Sequence, residues 1–287
     1  MTTVIAVASL LLLVAVPTWC QQQTSATSEL EAIQQTALDY MDGALDANAE
    51  RVARAVHPEL HKVTFQKIPS ATKTVLTQSG ATRLVELVRA RRIYLAETER
   101  HIEVQVLRVK DELACVKVTS TKYSDYLQLA RIGDRWQIIN VLWLPTEAAG
   151  AAQVADAERD RAAAAVKEAA LDYIEGAFSA DAMRMERAVH PELHKVSPVS
   201  MPDSKGTFLE KIGAGILIEW TRSKGGMLPE DKRDIRVEIL DMTDSMACVE
   251  ILSAMYFDYL ELAKIDGEWK LVNVLWKMNP TAPVPRR

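Results

Sequence analysis

The sequence is poor in cysteine, in clustered positive charge and in flexible linker residues, and each shortage excludes a class of protein. Three cysteines, Cys20, Cys115 and Cys248, are too few for a disulfide framework, so core thiols are expected. The net charge is -5, and the basic pairs Arg91-Arg92 and Arg286-Arg287 are isolated. Nucleic-acid binding requires a concentrated basic surface, so no nucleic-acid partner is expected. No Lys or Arg precedes Arg51. The apolar run Val4 to Val16, broken only by Ser9, is shorter than the ~20 residues that span a bilayer. It fits a secretory signal peptide over residues 1–20, which places the mature chain outside the cell or in a periplasm. The alternatives are an uncleaved leader anchoring the chain to a membrane, or a lipid on Cys20. Trp19 stands against lipidation, because a small residue normally precedes a lipidated cysteine.

What is present is an ordinary globular composition, 48% apolar and 25% charged over 287 residues, enough for two domains with their own cores. The chain repeats itself. Ala37-Leu-Asp-Tyr40 returns as Ala170-Leu-Asp-Tyr173, and Ala55 to Val63 returns as Ala188 to Val196. Cys115 matches Cys248, Asp125-Tyr126-Leu127 matches Asp258-Tyr259-Leu260, and Asn140 to Trp143 matches Asn273 to Trp276, always 133 positions apart. This is a duplicated domain; solenoid repeats are far shorter, ~20–50 residues. The expected organisation is one domain over 28–145, an Ala-rich linker over 146–164 whose second half begins a helix, a second domain over 165–279, and a disordered tail over 280–287.

Within a copy, Ser28-Glu29-Leu30-Glu31 reads as a capping box opening helix one, which carries Leu30, Ile33, Ala37, Tyr40, Met41 and Ala44 at helical spacing. Asn48 and Asp181 are positioned to cap helix two. His57 precedes Pro58, so helix two is expected to end there. A short strand and a third helix with Leu84, Val85, Leu87 and Val88 follow. Then the period becomes two, giving strands from Ile102 to Val106, Leu113–Thr119, Tyr123–Ile132 and Arg135–Leu144. Gly133-Asp134 and Asp266-Gly267 are two-residue hairpin turns. Helices first and a meander after give an α+β fold, with helices packed on one face of a curved antiparallel sheet.

The order Leu-Asp-Tyr in helix one, Arg-Ala-Val-His-Pro-Glu-Leu after helix two, and Asp-Tyr-Leu-x-Leu-Ala leading to Trp-x-x-x-Asn-Val-Leu-Trp resembles the putative lumazine-binding family. That family belongs to the nuclear transport factor 2-like (SnoaL-like) superfamily. The resemblance implies two cone domains. In this superfamily the cone holds a ligand in some members and performs isomerase, cyclase or dehydratase chemistry in others, so fold alone does not decide function.

His57 with His61, and His190 with His194, have the i, i+4 spacing of a helical metal pair, but Pro58 interrupts the helix and a third ligand is missing. No metal and no cofactor are expected. Tyr40 and Tyr173 fall on the apolar stripe of helix one, whereas Asp39 and Asp172 lie off it. Asp125 and Asp258 share a strand face with leucines, where a carboxylate must be paired or its pKa raised. The catalytic candidates are therefore Asp125, Asp258, Tyr40 and Tyr173. The ligand-lining candidates are Tyr40, Tyr173, His57, His190, Tyr126, Tyr259, Trp136 and Trp269. Strand alternation puts Trp136 and Asn140 on one face and Trp143 on the other. Both sheet faces are then covered, one by helices and the other by the sister copy in an intramolecular pseudo-dimer. If Cys115 and Cys248 lie near its axis they can approach each other, and a bridge between them is not expected. The function expected is an exported pocket protein binding a small apolar or aromatic molecule. The alternatives are an acid/base enzyme using a cavity Asp with a Tyr, and a structural envelope interaction protein. Arg91-Arg92 against Gly225-Gly226 suggests that the pockets have diverged.

Overall fold

The computed structural model describes residues 18–68, 72–149, 156–201 and 206–282. The leader through Pro17 and the tail from Pro283 lie outside the described residues. Copy one runs α1 (Thr18–Leu45), α2 (Ala49–Ala55), β1 (Val56–Lys67), β2 (Thr74–Ser79), α3 (Ala81–Arg89), a 3₁₀ turn (Glu97–Glu99), β3 (Glu103–Lys110), β4 (Leu113–Thr119), β5 (Tyr123–Ile132) and β6 (Arg135–Pro145). After the short α4 (Thr146–Ala149), copy two repeats the order. It runs α5 (Asp156–Ser179), α6 (Ala182–Ala188), β7 (Val189–Ser200), β8 (Thr207–Ile212), α7 (Ala214–Arg222), a 3₁₀ turn (Glu230–Lys232), β9 (Arg236–Met242), β10 (Met246–Leu252), β11 (Tyr256–Ile265) and β12 (Glu268–Met278).

Asn48 caps α2 by accepting from the Arg51 N–H at 3.1 Å, and Asp181 caps α6 by accepting from Met183 and Arg184. The hairpin turn of copy two has positive φ at both Asp266 and Gly267, as a type I′ turn requires. Three local expectations are corrected. α1 starts ten residues before Ser28, so Ser28 is inside the helix and does not open it. α2 ends at Ala55, because β1 begins at Val56 and takes His57 and Pro58 into a strand. Each sheet is mixed, with order β2-β1-β6-β5-β4-β3 and β8-β7-β12-β11-β10-β9. β1 runs parallel to β6, and β7 to β12, within otherwise antiparallel sheets.

A bulge also changes one face assignment. In the β5–β6 pair the register passes from Gln128↔Asn140 to Leu129↔Ile138, leaving Ile139 extra. One extra residue inverts the alternation beyond it. Trp136, Ile138, Val141 and Trp143 therefore all face the helices, while Ile139, Asn140 and Leu142 face the other copy. Trp136 and Asn140 are on opposite faces, and the two tryptophans share one.

Each sheet packs its helix-side face on its own helices: Ile33, Ala37 and Tyr40 against Leu127, Leu129 and Val141 in copy one, with the matching set in copy two. The two outer faces pack against each other. Val63, Phe65, Tyr126 and Leu142 meet Val196, Phe257, Tyr259 and Leu275 in a third core shared by both copies. Within it Cys115 Sγ and Cys248 Sγ lie 2.9 Å apart as free thiols. His61 and His194 stack with ring centroids 4.3 Å apart. Each donates from Nδ1 to the asparagine of the other copy, His61 to Asn273 at 2.7 Å and His194 to Asn140 at 2.9 Å. Those asparagines in turn donate to Glu261 and Gln128, which occupy equivalent positions. Charges complete the seam. Arg108 and Lys117 of copy one meet Glu238, Glu250 and Asp241 of copy two, with Lys117 Nζ 2.7 Å from Asp241 and Arg108 2.6 Å from Glu238.

Candidate functional site

Between α1, α3 and the sheet, copy one encloses a cavity of about 360 Å³. Its floor is a charged triad. α1 contributes Tyr40, whose apolar ring packs in the core while its hydroxyl donates to Asp125 Oδ2 at 2.6 Å. β1 contributes Lys62, which lies on the same face as Leu60 because strand side chains alternate. Its Nζ is 2.6 Å from the Tyr40 oxygen and 3.0 Å from Asp125 Oδ2. The ammonium also sits 4.5 Å from the centre of the Trp143 ring, a cation–π contact. Copy two reproduces the arrangement. Tyr173 is 2.8 Å and Lys195 2.9 Å from Asp258 Oδ1, and Lys195 lies 4.3 Å from the Trp276 ring centre.

Burial dominates the electrostatics. It pushes the Tyr40 and Tyr173 phenols well up, helped by the adjacent carboxylate. It pulls the Lys62 and Lys195 ammonium groups down, against the opposing attraction of Asp125 and Asp258. The second carboxylate oxygen of each aspartate, Asp125 Oδ1 and Asp258 Oδ2, is buried without a hydrogen-bond partner.

Of the residues singled out from sequence, the structure brings Tyr40 and Asp125 together in the first cavity; Tyr173 lines the second and donates to Asp258, which is buried behind it. The others lie elsewhere. Tyr126 and Tyr259 face the sister copy, Tyr126 donating to Asp241. Trp136 and Trp269 are core residues away from the cavities. His57 and His190 accept from the backbone N–H of Glu59 and Glu192 at 3.1 Å and line neither cavity. Asp39 and Asp172 bind Arg51 and Arg184. Lys62 and Lys195 were missed. The signal was a lysine on the leucine side of a strand, repeated in both copies, where a charge has to have a partner.

The sequence model of the family described as putative lumazine-binding matches residues 28–144 and again residues 161–277. Among solved structures, the chain is similar to a nuclear transport factor 2-like protein of unknown function from Silicibacter pomeroyi DSS-3, at 13% identity, over 42% of this chain and 98% of that one, with a TM-score of 0.36. It is similar also to a nuclear transport factor 2-like protein of unknown function from Methylobacillus flagellatus KT, at 21% identity, over 44% and 96%, with a TM-score of 0.33. A third is a ketosteroid isomerase-like protein from Erwinia carotovora atroseptica, at 15% identity, over 41% and 96%, with a TM-score of 0.32. No curated protein matches.

Proposed function

The chain belongs to the putative lumazine-binding family in both halves, and on that premise we propose that it is an exported protein that takes up a small molecule in its first cone. One observation carries this reading: the 360 Å³ cavity of copy one, walled by Met41, Leu84, Leu87 and Trp143 and floored by polar groups. Its size and its mix of apolar wall with a few convergent polar atoms are those of small-molecule sites. The triad fixes orientation, since Lys62 and Tyr40 converge on one carboxylate and hold it in place. Because the plainly smaller second cavity keeps the same triad, we assign the triad first to the architecture of the cone and only secondarily to the ligand. Export is supported by the apolar run Val4 to Val16.

The test is native mass spectrometry of the gently purified protein. A noncovalent small-molecule adduct that disappears on denaturation is expected. A bare polypeptide mass, together with no member of a panel of aromatic small molecules raising the thermal midpoint, overturns the reading. N-terminal sequencing of extracellular or periplasmic protein tests export.

A second reading, acid/base catalysis, is favoured by the unpartnered Oδ1 of Asp125, a buried acceptor on a residue that lines the cavity beside the Tyr40 hydroxyl. Under it, turnover of a bound ligand is abolished by Asp125→Asn while binding persists. Ligand recovered chemically unchanged after prolonged incubation with the wild-type protein removes this reading.

A further inference from the structure

The two cones share a floor and differ at the mouth. The differences fall on equivalent positions: Leu87 against Trp220, Arg92 and Ile93 against Gly225 and Gly226, and Arg83 against Ile216. The backbone is the same in both. The Arg92 N–H donates to the Leu87 carbonyl at 2.9 Å, as the Gly225 N–H donates to the Trp220 carbonyl at 3.0 Å, and Arg91 and Lys224 both adopt positive φ. In copy two the indole of Trp220 lies across the glycine pair. A Cβ at Gly225 would stand 2.2 Å from Trp220 Nε1, and one at Gly226 2.4 Å from Trp220 Cη2. The two glycines are therefore what lets the tryptophan fold inward, and the cavity beside it shrinks to about 130 Å³ with an almost wholly apolar lining.

In copy one the equivalent position is Leu87, which has no ring to lay there. Arg83 and Arg92 stand exposed at the mouth, both lining the cavity, and neither has a carboxylate partner among the described residues. With Lys62 below and Asp125 the one acidic group of the lining, the first cavity carries a surplus of positive charge. Its interior offers the Tyr123 and Trp143 rings, set edge-to-face at 5.4 Å.

We propose that the first cone is a site for a flat aromatic anion, its ring system between α1 and Trp143 and its negative group at Arg83 and Arg92, and that the second cone is shut by its own Trp220. This rests on the reading of the first cavity as a ligand site and names the class of ligand. Two guanidinium groups at an apolar mouth favour a carboxylate, sulfonate or phosphate over a neutral ring, because each charge-assisted contact adds to the apolar term.

The test uses the full chain and two fluorescent probes of the same shape, the aromatic sulfonate anilinonaphthalenesulfonate and its uncharged parent phenylnaphthylamine. The sulfonate is expected to bind one per chain, about tenfold or more tighter than the neutral probe. Arg83→Gln with Arg92→Gln removes that advantage and leaves the neutral probe's affinity unchanged. Transplanting the plug, Leu87→Trp with Arg92→Gly and Ile93→Gly, abolishes binding of both probes at an unchanged circular dichroism spectrum. Trp220→Leu raises the stoichiometry of the neutral probe from one to two. Equal affinity for the two probes, or an arginine variant that weakens both alike, overturns anion recognition and leaves the cavity reading standing. Two probes bound to the wild-type chain overturns the closed second cone. Failure of both probes to bind the wild-type chain overturns the cavity reading itself.

Discussion

Lys195 is 7% exposed at its side chain and Asp258 not at all, so each neutralises a charge that burial would otherwise make costly. Lys195→Met leaves Asp258 buried and unpaired, and urea unfolding is expected to show a loss of about 3–5 kcal/mol. Lys195→Met combined with Asp258→Leu should recover most of it. A double variant as weak as the single one shows that the tyrosine bond, not the ion pair, holds the floor. Glu261 makes a second residue-scale prediction. Burial raises its pKa from 4.5 to about 8, although its bond from Asn273 acts the other way. The folded state thus keeps a proton that the unfolded state releases near 4.5, so stability falls as pH rises from about 4.5 to about 8. His194, lowered to about 3 chiefly by burial and then by His61, works oppositely. The unfolded chain takes up that proton near 6.5 while the fold does not, so stability falls as pH drops from about 6.5 toward 3. Glu261→Gln, which installs the residue of the equivalent copy-one position, is expected to raise the urea midpoint at pH 8 and leave it unchanged at pH 4. An equal rise at both pH values rules out titration as the cause. Tyr40 and Asp125 were legible in the sequence because an apolar stripe and a leucine face each carried a polar intruder. Lys62 was not, because a lysine ordinarily reads as a solvent residue, and only the packing of β1 against α1 and β5 shows its partners.

At the scale of elements, local signals were read well where they are local. Alternation gave β4 and β5 over Leu113–Thr119 and Tyr123–Ile132, and Asn48 and Asp181 gave the caps. Asn48→Ala is expected to lower stability by about 1 kcal/mol, and Asp181→Ala, which loses two backbone donors, by at least as much. Thermal midpoints of the two variants check the order; a silent Asp181→Ala refutes it. What sequence did not yield is pairing. The parallel alignment of β1 with β6 joins segments far apart in the chain, and no hydropathy pattern encodes direction. The bulge at Ile139 is one residue of register, invisible without β5 alongside, yet it decides that Trp143 lines the cavity and Asn140 reaches His194. α1 extended past its expected start because the capping sequence Ser-x-x-Glu is compatible with a helix interior as well as with its first turn.

At the scale of the molecule, the two copies share a core and should unfold together. A single calorimetric transition is expected, and two resolved transitions would show the copies to be only adherent. The seam is also signed. Arg108 and Lys117 are basic, while the equivalent positions of copy two, Asp241 and Glu250, are acidic. Arg108→Asp with Lys117→Glu puts acids on both sides and should lower the urea midpoint markedly, since juxtaposed like charges cost several kcal/mol. Adding Asp241→Arg and Glu250→Lys restores it. No restoration means that the side chains matter for packing and not for sign.

Duplication inside one polypeptide has freed these halves from the rule that a substitution in a homodimer must be made twice. A pair of first halves would set Arg108 against Lys117 across its axis, and a pair of second halves Asp241 against Glu250. Severed between α4 and α5, each half would reject its own kind and accept its sibling, so the chain carries its own mating code, one that forbids like halves of two chains from pairing.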